Sequence, residues 1–172
     1  YRVSMWKSRR HEGNKRKANA VDKAMVLDDG RNWRNRLNRL VSFPGAKTAL
    51  RFMVKTLPPA MLEVAHELQA KGIDSTLAQD KQNHRLRLEI LHGEEVDFVY
   101  EVRLIEGIKP VFALGQAGNL ASAGEQEKYY RAEVFLQDGS QDYDIVGYTK
   151  EQIIIDILSQ YERHMQFLHL ER

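Results

Sequence analysis

A change of hydrophobic period part-way along the chain restricts its fold more than any other feature. Residues 1–30 lack a sustained apolar period, from about Trp33 to Lys71 the apolar residues recur at helical spacing, and from His84 they alternate. The run His84-Arg-Leu-Arg-Leu-Glu-Ile-Leu91 puts Leu86, Leu88 and Ile90 on one face and Arg85, Arg87 and Glu89 on the other. Asp97–Ile105 alternates again, with Phe98, Tyr100, Val102 and Leu104 inward. With His92-Gly93-Glu94-Glu95 as a turn, the two runs predict an antiparallel hairpin with one wet face. Ile73–Ala78 is expected to add a strand before it and Pro110–Leu114 an edge strand after it. Gln116–Gln126 is small and polar and reads as a surface loop. A second hairpin follows: Tyr130, Ala132, Val134 and Leu136 alternate, Asp138-Gly139 turns, and Tyr143, Ile145 and Gly147 alternate back.

Helical spacing frames these strands on both sides. Trp33, Leu37, Leu40 and Val41 predict a short helix that Pro44-Gly45 interrupts. Residues 46–56 predict another, with Leu50, Met53 and Val54 on one side. Pro58-Pro59 ends or kinks it and opens the next helix, which runs to about Lys71 before Gly72. That helix is expected to bury Met61, Leu62, Ala65 and Leu68. The last helix starts at Thr149, where Gln152 three residues on completes a capping box. Ile153, Ile154, Ile157, Leu158, Tyr161, Met165 and Leu168 form its apolar stripe. Burial of Ile157 alone is worth about 2 kcal/mol. The expected fold class is therefore α+β: an antiparallel meander of four to six strands covered on one face by helices, with a long C-terminal helix.

The 172 residues, 42% apolar, suffice for one domain with its own core and an extension. There is no cysteine, which excludes disulfides, thiol nucleophiles and thiolate zinc sites. No stretch approaches the roughly 18 apolar residues of a spanning helix. The chain begins at Tyr1 without a signal-peptide pattern and is expected to be a piece of something longer.

Charge divides it. Residues 1–55 hold 15 Lys and Arg against 4 Asp and Glu, a surplus of eleven positive charges; residues 56–172 hold 11 against 20, a surplus of nine negative. The expected organisation is a basic leader over residues 1–43 and an α+β domain over 44–172. Lys7, Arg9, Arg10, Lys15, Arg16 and Lys17, then Arg34, Arg36 and Arg39, are the candidate contact residues, with Trp6 and Trp33 beside them. Three readings compete for them: a solvated arm, phosphate contacts on a nucleic acid, and attraction to an anionic lipid surface.

Catalytic signals are sparse. There is no P-loop, dinucleotide fingerprint, Gly-x-Ser-x-Gly elbow or His-Glu-x-x-His pair. His164 and His169 lie five apart on a helix, a poor spacing for a shared metal, and sit better near the negative helix end. Asp138, Asp142 and Asp144 lack the order of a calcium loop. Glu94, Glu95 and Asp97 read as a solvated acidic turn. Tyr130 and Tyr143 fall on apolar strand faces, where packing explains them. No catalytic residue, metal or cofactor is assigned, and an enzyme is the weakest of the function classes.

Three stretches go further. Glu127-Lys-Tyr-Tyr-Arg-Ala-Glu-Val-Phe-Leu136, Gly139-Ser-Gln-Asp-Tyr-Asp-Ile-Val-Gly-Tyr148 and Ile155-Asp-Ile-Leu-Ser-Gln-Tyr-Glu-Arg-His-Met-Gln-Phe-Leu-His169 resemble the tail of BetT-type choline transporters, of the betaine–carnitine–choline transporter family. Residues 59–72 and Gly93-Glu-Glu-Val-Asp-Phe-Val-Tyr-Glu-Val-Arg103 are similar to it too. The resemblance implies a cytoplasmic C-terminal regulatory domain of a secondary transporter that takes up choline for osmoprotection. It implies the transporter's own membrane part as partner, attachment at the inner membrane, and possible homo-oligomers through the full-length protein. The choline cage and coupling-ion site of that family lie in spanning helices outside this chain. Aromatic and basic residues at a cytosolic interface favour lipid over nucleic acid for the leader. A nucleic-acid module using the same arm is the alternative.

Overall fold

The computed structural model describes residues 33, 34, 37, 38, 40–110 and 127–170, the last two without their side chains. The chain up to Ser42 and the chain from Phe43 form separate units, each described by itself. In the first, Trp33, Arg34, Leu37, Asn38 and Leu40 are helical and exposed, with the Val41 amide donating to the Leu37 carbonyl. The predicted strand over 110–114 and loop over 116–126 fall outside the described residues from 111 on.

The second unit runs α1 (Ala46–Lys55), α2 (Leu57–Ala70), β1 (Ser75–Asp80), β2 (Arg85–His92), β3 (Glu95–Ile108), β4 (Lys128–Leu136), β5 (Gly139–Asp144) and α3 (Lys150–Leu170). The five strands form an antiparallel meander in chain order, β1-β2-β3-β4-β5. The register sets Leu88 opposite Tyr100 and Leu86 opposite Val102, and Val102 opposite Val134. These inward residues share one core with Ala49, Phe52 and Met53 of α1, Leu57, Met61, Val64, Ala65 and Leu68 of α2, and Ile153 and Ile157 of α3. All three helices therefore cover the same sheet face. The α+β class is as the alternation predicts, and the five strands among the described residues fall within the four to six expected.

Proline and glycine punctuate the helices as their backbones require. α1 stops at Lys55; Thr56 keeps helical angles, and α2 opens with prolines in its first turn, where no intrahelical donor is lost. At the far end Gly72 takes φ +76°, its amide donates to Gln69 and that of Ile73 to Leu68, closing the helix in the two-bond pattern that suits glycine. The α3 start is a capping box. The Gln152 amide donates to the Thr149 hydroxyl at 3.2 Å and the Thr149 amide to Gln152 Oε1 at 3.0 Å.

Several inward assignments shift. In α1 the buried set is Ala49, Phe52 and Met53, while Val54 is exposed and Leu50 partly so. In α2 Leu62 is exposed and Val64 takes the core position. The α3 stripe is really two. Ile153, Ile157 and Gln160 are buried and His164 is partly buried, whereas Leu158, Met165 and Leu168, expected inside, are exposed. Adjacent residues on a helix differ by about 100°, so an apolar run wider than the sheet it meets spills past the contact. The strand over 73–78 begins two residues later, at Ser75.

The sheet's other face is not simply wet. At its centre Val99, Glu101 and Glu133 are buried. β3 is flanked on both sides, and the long side chains of its neighbours fold over it.

Candidate functional site

Among the described residues three polar constellations at the sheet and α3 stand out, and the strands and helix that carry them explain each. The first joins the sheet to α3. Tyr100 on β3 points inward, is fully buried, and donates its hydroxyl to Asp156 Oδ2 at 2.5 Å. Tyr143 on β5 donates to the same oxygen at 2.6 Å, and Gln160 Nε2 donates to the Tyr143 hydroxyl at 3.0 Å. Asp156 and Gln160 are four apart, so one helix face presents both to the sheet. Burial first, then the adjacent Asp156 charge, holds the Tyr100 hydroxyl well above its ordinary range. Burial and the bond to Asp156 push Tyr143 up as well. Both stay protonated donors at neutral pH.

The sign of the resulting pH dependence follows. A tyrosine whose folded value is raised contributes stability that is fully present below about pH 10 and lost as pH climbs toward the folded value. Alkaline denaturation should steepen above pH 10 by up to about 1.4 kcal/mol per pH unit for each of the two hydroxyls. Tyr100→Phe and Tyr143→Phe should each flatten it. Urea midpoints between pH 8 and 11.5 check this; equal slopes in wild type and variants would contradict it.

A second contact lies near the end of α3. His164 Nε2 is 3.1 Å from Asp97 Oδ1, and the Phe98 ring lies 5.6 Å from the imidazole and 5.2 Å from the Tyr161 ring. His164 thus faces the β2–β3 hairpin, and His169 has no described side chain. Helix-end placement alone missed this partner. Asp97 belongs to that hydrogen-bonded contact rather than to a solvated turn with Glu94 and Glu95, which are exposed.

The third constellation lies on the open sheet face. Glu101 is held between Arg87 and Arg103, Arg87 also reaches Glu89 at 2.6 Å, and Glu133 accepts from Arg131 and the Ser140 hydroxyl. The Arg103 guanidinium stacks 4.0 Å over the Phe135 ring. Buried carboxylates are tolerated here because each has guanidinium donors. All these partners are mutual, so the network is structural.

Asp138, Asp142 and Asp144 do not converge. Asp138 accepts from Gln141, and Asp144 turns back to accept the Ala132 amide at 2.8 Å and the Val146 amide at 3.0 Å. Among the described residues no group of acidic and histidine side chains is arranged to hold a metal. The entry to the domain is pinned instead. The Tyr130 amide donates to the Pro44 carbonyl at 2.9 Å, Phe43 sets its ring edge against Tyr129 at 5.3 Å, and a Cβ on Gly107 would lie 2.6 Å from the Tyr129 ring. Of the nine candidate contact cations, only Arg34 is described; it is exposed and stacks on Trp33 at 4.6 Å. Lys7, Arg9, Arg10, Lys15, Arg16, Lys17, Arg36 and Arg39 lie outside the described residues.

Sequence reasoning missed Asp156 and Gln160. Their signal was present: two polar residues beside the inward stripe of a helix, facing tyrosines at inward strand positions. Without the register there was no means of pairing them.

No helix among the described residues is long and apolar enough to cross a membrane. No family model matches the chain. It is similar to the osmo-dependent choline transporter BetT2 of Acinetobacter baylyi, with 36% identity over 99% of its length. It is similar to the high-affinity choline transport protein of Escherichia coli K12, with 38% over 99%, and to a glycine betaine transporter of A. baylyi, with 33% over 86%. It spans about a quarter of the first two and 22% of the third. A match that runs over nearly the whole chain is descent rather than local coincidence, and the chain is homologous to one part of the transporters of the betaine–carnitine–choline transporter family.

Proposed function

We propose that this chain is the cytoplasmic C-terminal regulatory segment of a secondary transporter that takes up choline for osmoprotection, and that it adjusts transport without forming the pathway. The observation that carries this is the similarity, over nearly the whole of this chain, to a quarter of an osmo-dependent choline transporter. Two features of the chain are consistent with it. Its polar groups are spent on holding strands and helix together, and its charge is split between a basic leader and an acidic domain.

That split supplies a mechanism. The leader cations Lys7, Arg9, Arg10, Lys15, Arg16, Lys17, Arg34, Arg36 and Arg39 rest on anionic lipid or on cytoplasmic loops of the same transporter. Such attractions reach about 8 Å at physiological salt and less as salt rises. Each cation near the bilayer is worth about 1 kcal/mol, so several together make a salt-sensitive hold. Rising internal salt loosens it. Transport responds if the pathway prefers one of the two leader positions, since only differential binding shifts an equilibrium.

In the full-length transporter, exchanging Lys15, Arg16 and Lys17 for Gln should shift the salt concentration of half-maximal choline uptake and leave the choline KM unchanged. Uptake measured across an osmotic series decides it, and an unaltered activation curve rejects the leader as the responsive element.

A further inference from the structure

α1 carries a charge pattern that its own fold does not explain. Lys47, Arg51 and Lys55 stand four apart, so they form one row along the helix, and all three are exposed. Like charges at that spacing repel and weaken a helix. Lys47 also lies in the first turn, where the helix dipole disfavours a cation, and no acidic residue accompanies it there. Among the described residues none of the three has an acidic partner within ion-pair distance. The neighbouring sequence offers none either: residues 31–62 hold seven Lys and Arg and no Asp or Glu. A row that opposes its own helix, with no counter-charge beside it, fits a counter-charge outside the domain.

The placement of α1 keeps the exposed acidic residues away from this row. The Tyr130 amide holds Pro44 at the start of β4, and Thr56 passes α1 directly into α2. α2 runs from there toward the β2–β3 hairpin, where the Leu91 amide donates to the Asp74 carbonyl at 2.8 Å. The 14 residues of α2 put its two ends about 20 Å apart. The bond from Gln137 to the Asp97 carbonyl sets the β4–β5 turn beside the same hairpin, so exposed Glu94, Glu95, Asp138 and Asp142 gather at that far end. At the near end of the sheet Glu106 and Glu127 are already paired, with Lys128 at 2.9 Å and Lys109 at 2.6 Å. Charges are screened over about 8 Å at physiological salt, so the far acidic end does not cancel the row.

The side chains beside the cations select the occupant. Val54 is 59% exposed and Leu50 partly so, which lays aliphatic surface alongside the row. Cations flanked by aliphatic groups on one helix face match a bilayer interface, where the charges meet lipid phosphates and the apolar groups enter the headgroup layer. Nucleic-acid strands draw on aromatic platforms, and the one aromatic residue of α1, Phe52, is buried. We infer that α1 is a bilayer-contact face, in which Lys47, Arg51 and Lys55 meet the phosphates of anionic lipid and Val54 enters the headgroup layer. The folded domain itself then docks on the membrane, with its acidic hairpins turned away. This deepens the proposed function, on which it rests for the presence of a membrane; there only the leader touches lipid.

The chain has no cysteine, so a single introduced one can carry an environment-sensitive nitrobenzoxadiazole label. Val54→Cys places it on the row and Glu95→Cys at the far hairpin, both at exposed positions. The labelled 172-residue chains are mixed with phosphatidylcholine vesicles containing about 30% phosphatidylglycerol, on which each surface cation raises partitioning about fivefold. The label at 54 should shift its emission to the blue and the label at 95 should not, and pure phosphatidylcholine should leave both unchanged. Lys47→Gln, Arg51→Gln and Lys55→Gln together should remove the shift at 54 with an unchanged melting temperature, while co-sedimentation, which the leader also drives, falls only in part. No shift at 54 in a chain that sediments with the vesicles overturns the inference and leaves the leader on lipid. A chain that does not sediment overturns it too and leaves the regulatory reading to contacts with the transporter's loops. Equal shifts at 54 and 95 would mean unoriented adsorption and reject it. A shift at 54 produced by duplex DNA and not by the vesicles would make the row a nucleic-acid contact instead. Regulation is read from uptake, which these measurements do not use, so the two failures are separable.

Discussion

Asp156→Ala should destabilise the domain by about 4 kcal/mol, one of the two largest losses expected from a single substitution. The carboxylate receives two tyrosine hydroxyls, from β3 and from β5, and carries them both on one oxygen. Removing it strands a fully buried Tyr100 donor and a partly buried Tyr143 donor. Each buried donor left without a partner costs about 1–3 kcal/mol, more where the lost bond was charge-assisted. Asp156→Asn keeps an acceptor oxygen of similar reach, so its loss should be about half as large. That ordering separates loss of the acceptor from loss of the charge. Urea unfolding at pH 7 measures both; a change under 1 kcal/mol for Asp156→Ala would mean that the two hydroxyls find other partners. Because a domain of this size has only about 5–15 kcal/mol in total, the alanine variant should be partly unfolded at elevated temperature.

The second large effect comes from two neighbours that the sequence places together. Ile157 is wholly buried against the sheet and Leu158 is half exposed. Ile157→Ala should cost about 3 kcal/mol, the removed methyl groups plus the cavity they leave. Leu158→Ala should stay within about 0.5 kcal/mol in dilute solution. Thermal or urea denaturation of the pair checks the orientation of α3. Equal losses at both positions would mean that the helix is rotated from the one described.

These two predictions also mark how far the residues could be read without coordinates. The meander was legible because Leu86, Leu88 and Ile90 alternate with charged residues, and likewise Phe98, Tyr100 and Val102. A period of two admits no helix. The α3 start was legible because Thr149 and Gln152 bond within one turn. Helix faces were less legible. Val54, Leu62 and Leu158 satisfy the helical period as well as Met53, Ala65 and Ile157 do, and only the width of the opposing surface decides which go inside.

The candidate sites divide in the same way. The basic leader is a property of composition and is visible in the sequence. The Asp156 network, the His164–Asp97 pair and the guanidinium-covered Glu101 and Glu133 join residues 67, 56 or 14 positions apart, or lie two apart on a strand whose neighbours complete them. Such partners are set by strand register and by how α3 lies on the sheet.

By itself the sequence determined the class of fold, the helix caps and turns, the charge division and, through its resemblance, the transporter family. The first three are consequences of period, backbone stereochemistry and net charge, each carried by residues close together in the chain. Tertiary structure alone decided which of two adjacent α3 stripes meets the sheet, which tyrosines share a carboxylate, and which apolar side chains stay exposed. Those choices depend on contacts between distant segments, whose free energy no local pattern contains.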